Sequence, residues 1–196
     1  MWRDRDQERA RFEALTTGHL DGLHRFALRL TRNRTTAEDL VQEGMLRAWR
    51  SFHTFQEGTS IPAWLHRILI NAHTDNHRKQ TREPDVVDHD EVGEFYLYDK
   101  AQESMTLAEV GNPEVQVLNG IMETEVQDSL DALPLHFRSV VLLADVQGFS
   151  YKEIADILGV PTGTVMSRLY RGRHILQRRL WEFAQDRHFV TRQARR

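Results

Sequence analysis

Cysteine is absent from this chain of 196 residues. That excludes disulfides, thiolate metal sites and a thiol nucleophile, so any redox sensing in its pathway has to reside in a partner. Long apolar runs are missing as well. No stretch approaches the ~20 residues that cross a bilayer, and the N-terminal MWRDRDQERARF is too charged for a signal peptide. A cytoplasmic protein with no membrane span is expected. The sequence also offers no glycine-rich phosphate loop, no HExxH and no serine-histidine-aspartate arrangement. His66, His73 and His77 fall on one helical face near Asp75, but a pair of histidines four apart with no third-ligand pattern reads as a solvated face rather than a zinc site. The expectation is no catalytic residue, no metal and no cofactor.

What the chain does carry is a partition of charge. Its net charge of -3 conceals 14 Lys/Arg against 10 Asp/Glu in residues 1–82, 1 against 12 in 83–125, and 11 against 7 in 126–196, or +4, -11 and +4. Two mildly basic modules flank an acidic connector. The pattern suits two ends that touch nucleic acid around a middle that avoids it or lies in a basic channel; an acidic solubilising linker has the same composition.

The stretch Phe149–Arg173, FSYKEIADILGVPTGTVMSRLYRGR, predicts two helices joined by one tight turn. Ser150 and Glu153 have capping-box spacing ahead of the apolar Ile154 and Leu158. Gly159 suits a left-handed C-terminal cap. Val160 can pack in the turn, and Pro161 with Thr162 starts a second helix capped by the threonine hydroxyl. On a helical wheel Val165, Leu169, Gly172, Leu176 and Leu180 share the core side, and Gly163, Ser167, Tyr170, Arg171, His174 and Arg178 the other. Small residues near the start and cations further along fit a helix-turn-helix whose second helix enters the major groove. A helical hairpin with a solvated basic face has the same pattern.

In the first module Phe12, Leu15, Leu23, Phe26, Ala27 and Leu30 recur at helical spacing over one long helix or a broken pair. Asn33 and Arg34 mark a turn, and Thr35 with Glu38 forms a second capping box opening a helix from Ala37 to about Ser51. Ala37, Val41, Gly44 and Ala48 line a narrow stripe for close packing, leaving Asp39, Gln42, Glu43 and Arg47 outside. Phe52–Ser60, FHTFQEGTS, is a loop. Ile61-Pro62 starts a helix with Leu65, Ile68, Leu69 and Ala72 inward, and Trp64, Arg67, Asn71, Asp75, Arg78, Lys79 and Arg82 on or near the surface. Aromatic and amide groups among arginines are what single-stranded bases need for stacking, pairing and backbone contact; a core tryptophan and a basic helix end account for the same residues. In the connector, GEFYLY could pack in a channel, Gly111-Asn112-Pro113 is a turn, and Glu114–Leu133 reads as a helix.

AEDLVQEGMLRAWRSFHTFQEGTSIPAWLHRILINAHTDNHRKQ resembles domain 2 of the extracytoplasmic-function (ECF) sigma factors, and LPLHFRSVVLLADVQGFSYKEIADILGVPTGTVMSRLYRGR resembles their domain 4. Together they cover about residues 10–185. The resemblance implies an all-α protein in which residues 8–82 form sigma domain 2, 83–123 an acidic flexible linker and 124–185 sigma domain 4. It implies a promoter-specificity subunit that binds bacterial core RNA polymerase, reads a minus-thirty-five element as duplex, and captures the melted non-template strand of a minus-ten element, in a stress response.

By the family pattern Asp39, Leu40, Gln42 and Glu43 dock on the polymerase. Phe52, Phe55, Gly58, Thr59, Ser60, Trp64, Asn71, Asp75, Arg78 and Lys79 receive minus-ten DNA, and Thr162, Thr164, Ser167, Arg168, Tyr170, Arg171 and Arg173 approach the minus-thirty-five duplex. Met166 departs from the Lys or Arg often found there. The segment GTVMSRLYRGR and the connector resemble the subgroup controlled by zinc-containing, thiol-reactive anti-sigma proteins, which implies an anti-sigma partner. The alternative, a one-component helix-turn-helix repressor, needs a dimerisation surface and two half-sites that the sequence does not show.

Overall fold

The computed structural model describes residues 2–56, 58–81 and 124–187, and every regular element among them is helical. The connector 83–123, with GEFYLY and the Gly111-Asn112-Pro113 turn, lies outside the described residues, as does Arg82. Of the helix predicted over Glu114–Leu133, the described part runs 124–131. The first module comprises α1 (Trp2–Thr16), α2 (Leu20–Thr31), α3 (Arg34–Ser51) and α4 (Ile61–Thr81). The second comprises α5 (124–131), α6 (Leu135–Val141), α7 (Tyr151–Leu158) and α8 (Thr162–Asp186).

The apolar repeat from Phe12 to Leu30 is a broken pair. A 3-10 turn at Thr17–His19 separates α1 from α2, and the break brings Phe12, Leu23, Phe26, Ala27 and Leu30 into one buried set. Helix α3 starts earlier than predicted because its cap is Asn33, not Thr35. Arg32 closes α2 in the left-handed region, φ 63°, and extended Asn33 then accepts a hydrogen bond from Thr36 N at 3.0 Å. The predicted stripe packs α3 closely on α4. A Cβ on Gly44 would stand 2.9 Å from Leu69 Cδ1, too close for a real side chain without movement.

In the second module α8 lies against α6 in the same manner. A Cβ on Gly172 would meet Val141 Cγ2 at 2.8 Å and Phe137 Cβ at 3.4 Å. The chain leaves α6 through a π-helical turn, Leu142–Val146, closed by Gln147 N to Leu142 O at 3.0 Å. No periodicity rule announces such a turn, since it inserts one residue into an otherwise regular apolar run.

The two modules are in contact. Their buried side chains form one continuous cluster, where the charge partition suggests separate cores. His66 of α4 sits edge-on between Phe26 of its own module, 4.8 Å between ring centroids, and Phe149 of the other, 5.1 Å. Arg138 of α6, 6% exposed, donates from Nε to Leu130 O (3.0 Å) and from Nη2 to Asp131 O (2.9 Å) and Leu133 O (2.6 Å). Its Nη1 reaches across to Leu30 O at 3.1 Å. The guanidinium therefore satisfies last-turn carbonyls of α5 and α2 together, placing a cation at the negative ends of two helices. Arg32 and Asp131 add an ion pair at 3.5 Å on the same seam.

Candidate nucleic-acid interface

On α3, Asp39 and Gln42 are exposed and Glu43 half-buried, so three of the four residues expected to meet a protein partner share a solvent face. Leu40 does not. It is buried at 3% exposure, because it belongs to the inward stripe with Ala37, Gly44 and Ala48. The face is completed by Leu46, 52% exposed, at i+7 from Asp39, i+4 from Gln42 and i+3 from Glu43. The sequence signal for Leu46 was available: a leucine in register with the polar set rather than the core set.

Glu43 also accepts from Arg47 Nε at 2.8 Å, and Arg47 Nη1 donates to Asp75 at 2.6 Å. These bonds raise the Arg47 pKa, Glu43 first and Asp75 second. They tie α3 to α4, with the Asp75 carboxylate engaged by Arg47 while its side chain stays 48% exposed.

The loop after α3 is built on aromatics. Phe52 is buried and meets Phe12 (5.2 Å), Phe55 (6.1 Å) and Trp64 (6.3 Å), with the Arg11 guanidinium over its ring at 5.6 Å. It is core, not a DNA-facing group. Phe55 and Trp64 are half-buried, 5.2 Å apart, and leave part of their rings accessible. Gly58 turns the chain at φ 90°, Thr59 is exposed, and exposed Ser60 receives Ala63 N at 3.3 Å to open α4. Asn71 and Arg67 are exposed on α4; the side chains of Arg78 and Lys79 lie outside the described ones. A cavity of about 480 Å³ is lined by Thr54, Phe55, Gln56, Thr59, Ser60, Ala63, Trp64 and Arg67 from this module, and by Glu153, Asp156 and Ile157 from α7.

The second module has the predicted helix-turn-helix geometry. Ser150 Oγ accepts from Glu153 N, and the Glu153 carboxylate accepts from Ser150 N at 2.9 Å and Oγ at 2.7 Å. Those bonds hold the Glu153 pKa below its usual value. Gly159 ends α7 at φ 67°. The start of α8 differs from expectation: extended Pro161 is the N-cap and no side chain caps it, so Thr162 is the first helical residue and its hydroxyl is left to face outward.

Along α8, Thr162, Gly163, Met166, Tyr170 and Arg173 are exposed, while Thr164, Arg168 and Arg171 are half-buried. Ser167 is buried at 5% exposure, with its hydroxyl donating to Thr164 O at 3.1 Å. The helical wheel had it outward; the structure buries it. The groups at the place expected for base readout are Met166 and Tyr170, 42% and 47% exposed. Arg173 is bonded through Nε and Nη2 to Asp145 of the π turn, at 3.2 and 2.5 Å, which raises its pKa and commits its guanidinium to the protein.

Among the described residues no group of three or more His, Cys, Asp or Glu converges as a metal site, and no helix is long and apolar enough to cross a membrane.

Two family descriptions match the chain in order: sigma-70 region 2 over residues 15–83 and sigma-70 region 4 over 123–176. An ECF RNA polymerase sigma factor, SigE of Mycolicibacterium smegmatis, is 38% identical over 167 residues, which is 85% of this chain and 60% of that protein. The ECF RNA polymerase sigma factor EcfG of Rhodopseudomonas palustris is 35% identical over 81% of this chain and 79% of its own length. Among solved structures, the sigma factor RpoE in complex with the anti-sigma factor NepR from Bartonella quintana superposes with a TM-score of 0.62 at 28% identity, covering 86% of this chain and 98% of that one. CnrH in complex with the cytosolic domain of CnrY shares the fold, at TM-score 0.60 and 22% identity over 89% and 90% of the two chains.

Proposed function

The chain belongs to the ECF sigma factors of the sigma-70 family, and from that premise we propose that it joins bacterial core RNA polymerase and directs promoter-specific initiation, as a transcription factor rather than an enzyme. The observation that supports the reading is a pair of faces of different chemistry, each suited to nucleic acid, in the family's order. One is a cavity with half-exposed Phe55 and Trp64 and exposed Asn71 near it, suited to unstacked bases. The other is a capped helix-turn-helix with Thr162, Met166 and Tyr170 outward and Arg168 and Arg171 along the helix, suited to a major groove. A third face, Asp39, Gln42, Glu43 and Leu46, offers carboxylates with one exposed leucine and fits a basic protein surface with an apolar centre.

The working units on this reading are 8–82 for polymerase and minus-ten DNA, 83–123 as linker and 124–185 for minus-thirty-five DNA. It acts where the polymerase is, in the cytoplasm, and answers to an anti-sigma factor in a stress response. The finer assignment, to the subgroup held by zinc-containing thiol-reactive anti-sigma proteins, is supported by GTVMSRLYRGR and by a cysteine-free chain that leaves thiol chemistry to its partner. The one-component repressor is set aside: it provides no role for a region 2 match across residues 15–83.

Run-off transcription tests the proposal. Purified chain added to core polymerase is expected to give discrete transcripts from templates that co-purify with it, and none without it. Binding of duplex with no transcript in either case would overturn it.

A further inference from the structure

Resting on the sigma-factor reading, we propose that Met166 sets base preference in the duplex by reading a thymine methyl: the base it meets is chosen for its C5-methyl group and not for a hydrogen bond. Met166 lies in the second turn of α8 and is 42% exposed. Gly163, three residues earlier, is exposed as well, and a Cβ there would meet nothing within 4 Å. The start of α8 can therefore approach base edges closely.

The chemistry of the surrounding face decides which contact is available. Around the helix, Thr162, Tyr170 and Arg173 lie within about 40° of Met166. Arg173 is the cation of that set, and Asp145 engages it through both Nε and Nη2, so the bidentate donor pair that would select guanine is already committed. Arg168 and Arg171 are half-buried on the far side of the helix from Met166, and do not compete for the same base edge. The thioether itself has no N–H or O–H to donate and accepts only weakly. Its flexible, polarizable chain favours apolar contact. Thymine offers one, because among the four bases it alone carries a methyl group on the major-groove edge.

Tyr170, one turn further along, supplies the second wall. A cavity of about 180 Å³ is lined by Met166 and Tyr170 together with Leu169 and Tyr151. The Tyr170 ring lies nearly parallel to His174, 6.3 Å between centroids. A methyl group entering there meets one braced aromatic ring and one adaptable thioether, both apolar. A donor at position 166 would instead reward guanine, so this one side chain decides which base pair is preferred at its place in the duplex.

Deoxyuridine pairs as thymidine does but lacks the methyl, which makes the test direct. Holoenzyme assembled from the full chain and core polymerase enriches duplexes from a random library, and each thymine of the enriched upstream element is then replaced in turn by uracil. At one thymine, or two adjacent ones, uracil is expected to weaken binding by parent holoenzyme about fourfold, the worth of one buried CH2 group. Holoenzyme carrying Met166→Ala, with circular dichroism matched to the parent, is expected to bind the thymine and uracil duplexes equally at that position. If uracil weakens binding nowhere in the element, or the element has no thymine, the proposal is overturned. A thymine-to-uracil ratio as large in Met166→Ala as in the parent overturns it too, since the methyl is then read by another group. The sigma-factor reading fails separately, if holoenzyme enriches nothing that core polymerase alone does not.

Discussion

Ser150 and Gly159 bracket α7 with side-chain and backbone bonds that belong to the local sequence, whereas the loop 52–60 is held by rings from α1, α3 and α4 that reach it through space. The helix-turn-helix is therefore self-defining, and the loop after α3 is defined by its surroundings. This difference sets what each can tolerate. A helix pair with local caps keeps its shape when its surroundings change. The loop after α3 keeps its shape only while Phe12, Trp49, Phe52 and Trp64 stay packed. Substitutions can break or sharpen the contrast, beginning with the one of largest effect.

Arg138→Ala removes a buried guanidinium that serves four carbonyls from both modules. Loss of such a group leaves several acceptors buried and unpaired, so a cost of about 3–5 kcal/mol is expected, read as a fall in the urea midpoint of the full chain. A loss below about 1 kcal/mol would mean that water replaces the arginine and that the seam is not anchored there.

Next are two variants in the first module that separate holding polymerase from opening DNA. Asp39→Lys combined with Leu46→Lys should weaken core binding at least tenfold, the scale of a reversed charge in a protein interface, with the fold unchanged. Asn71→Ala should leave core binding intact and slow promoter opening about threefold to tenfold, the worth of one hydrogen bond to an extruded base. Gel filtration with core reads the first effect and permanganate footprinting of assembled holoenzyme the second. Reduced core binding by Asn71→Ala would merge the two faces into one.

The two close-packing glycines sharpen the comparison further. Both sit inside helices, where Gly→Ala alone would gain about 1 kcal/mol. At Gly172 the new methyl meets stiff Val141 Cγ2 and the Phe137 Cβ, so overpacking of about 1–3 kcal/mol outweighs the gain and a net loss is expected. At Gly44 the one close contact is Leu69 Cδ1 at 2.9 Å, with Leu69 Cα and Cγ at ordinary distances of 3.9 and 4.0 Å; a small shift of the Cδ1 methyl offsets the helix gain, so Gly44→Ala should be within about 0.5 kcal/mol of the parent. Denaturant midpoints of the two single variants decide it.

These glycines also show how far sequence reasoning reached. The stripe Ala37, Gly44, Ala48 and the pair Ser150 and Gly159 were legible, because helix period and capping chemistry are written within a few residues. Leu40, Phe52 and Ser167 are buried, though the family pattern put the first two, and the wheel the third, on binding faces: Leu40 belongs to the inward stripe of α3, and Phe52 to a ring cluster with Phe12, Phe55 and Trp64 assembled through space. Arg138 and the π turn left no local mark at all. A cation among LPLHFRSVV looks like a solvated residue until the carbonyl ends of α2 and α5 are seen to converge on it.

Within the reader, Arg171 and Ser167 are expected to behave differently. Arg171→Ala should lower the salt slope of duplex binding by about one and weaken all sequences alike, as loss of one phosphate contact does. Buried Ser167, bonded to Thr164 O, should leave base preference unchanged when replaced by Ala, while Tyr170→Ala should alter it. Electrophoretic shifts at several salt concentrations on duplexes differing by single base pairs report both quantities. A change of base preference in Ser167→Ala would return that residue to the readout surface.

The smallest expected effect is a dependence on pH at the seam. His66 donates from Nδ1 to Pro62 O at 2.7 Å, and its Nε2 lies buried between Phe26 and Phe149. Burial is the leading cause of its lowered pKa; the Pro62 carbonyl and nearby Gln147 oppose the shift, and His19 adds to it. The unfolded chain therefore binds a proton at His66 before the folded one does. Stability is fully present above the ordinary value of 6.5 and declines as pH falls below it, until the folded imidazole also protonates. His73 is lowered by burial as well, then by His77, and works in the same direction, so a decline in the parent alone would not identify its source. His66→Phe keeps a ring between Phe26 and Phe149 but cannot titrate. Urea midpoints of parent and variant at pH 7 and pH 5 isolate the term: the parent should lose more stability than His66→Phe over that interval. If the two lines run parallel, the protonation of His66 contributes nothing to stability over that interval, and it serves the seam only as a ring.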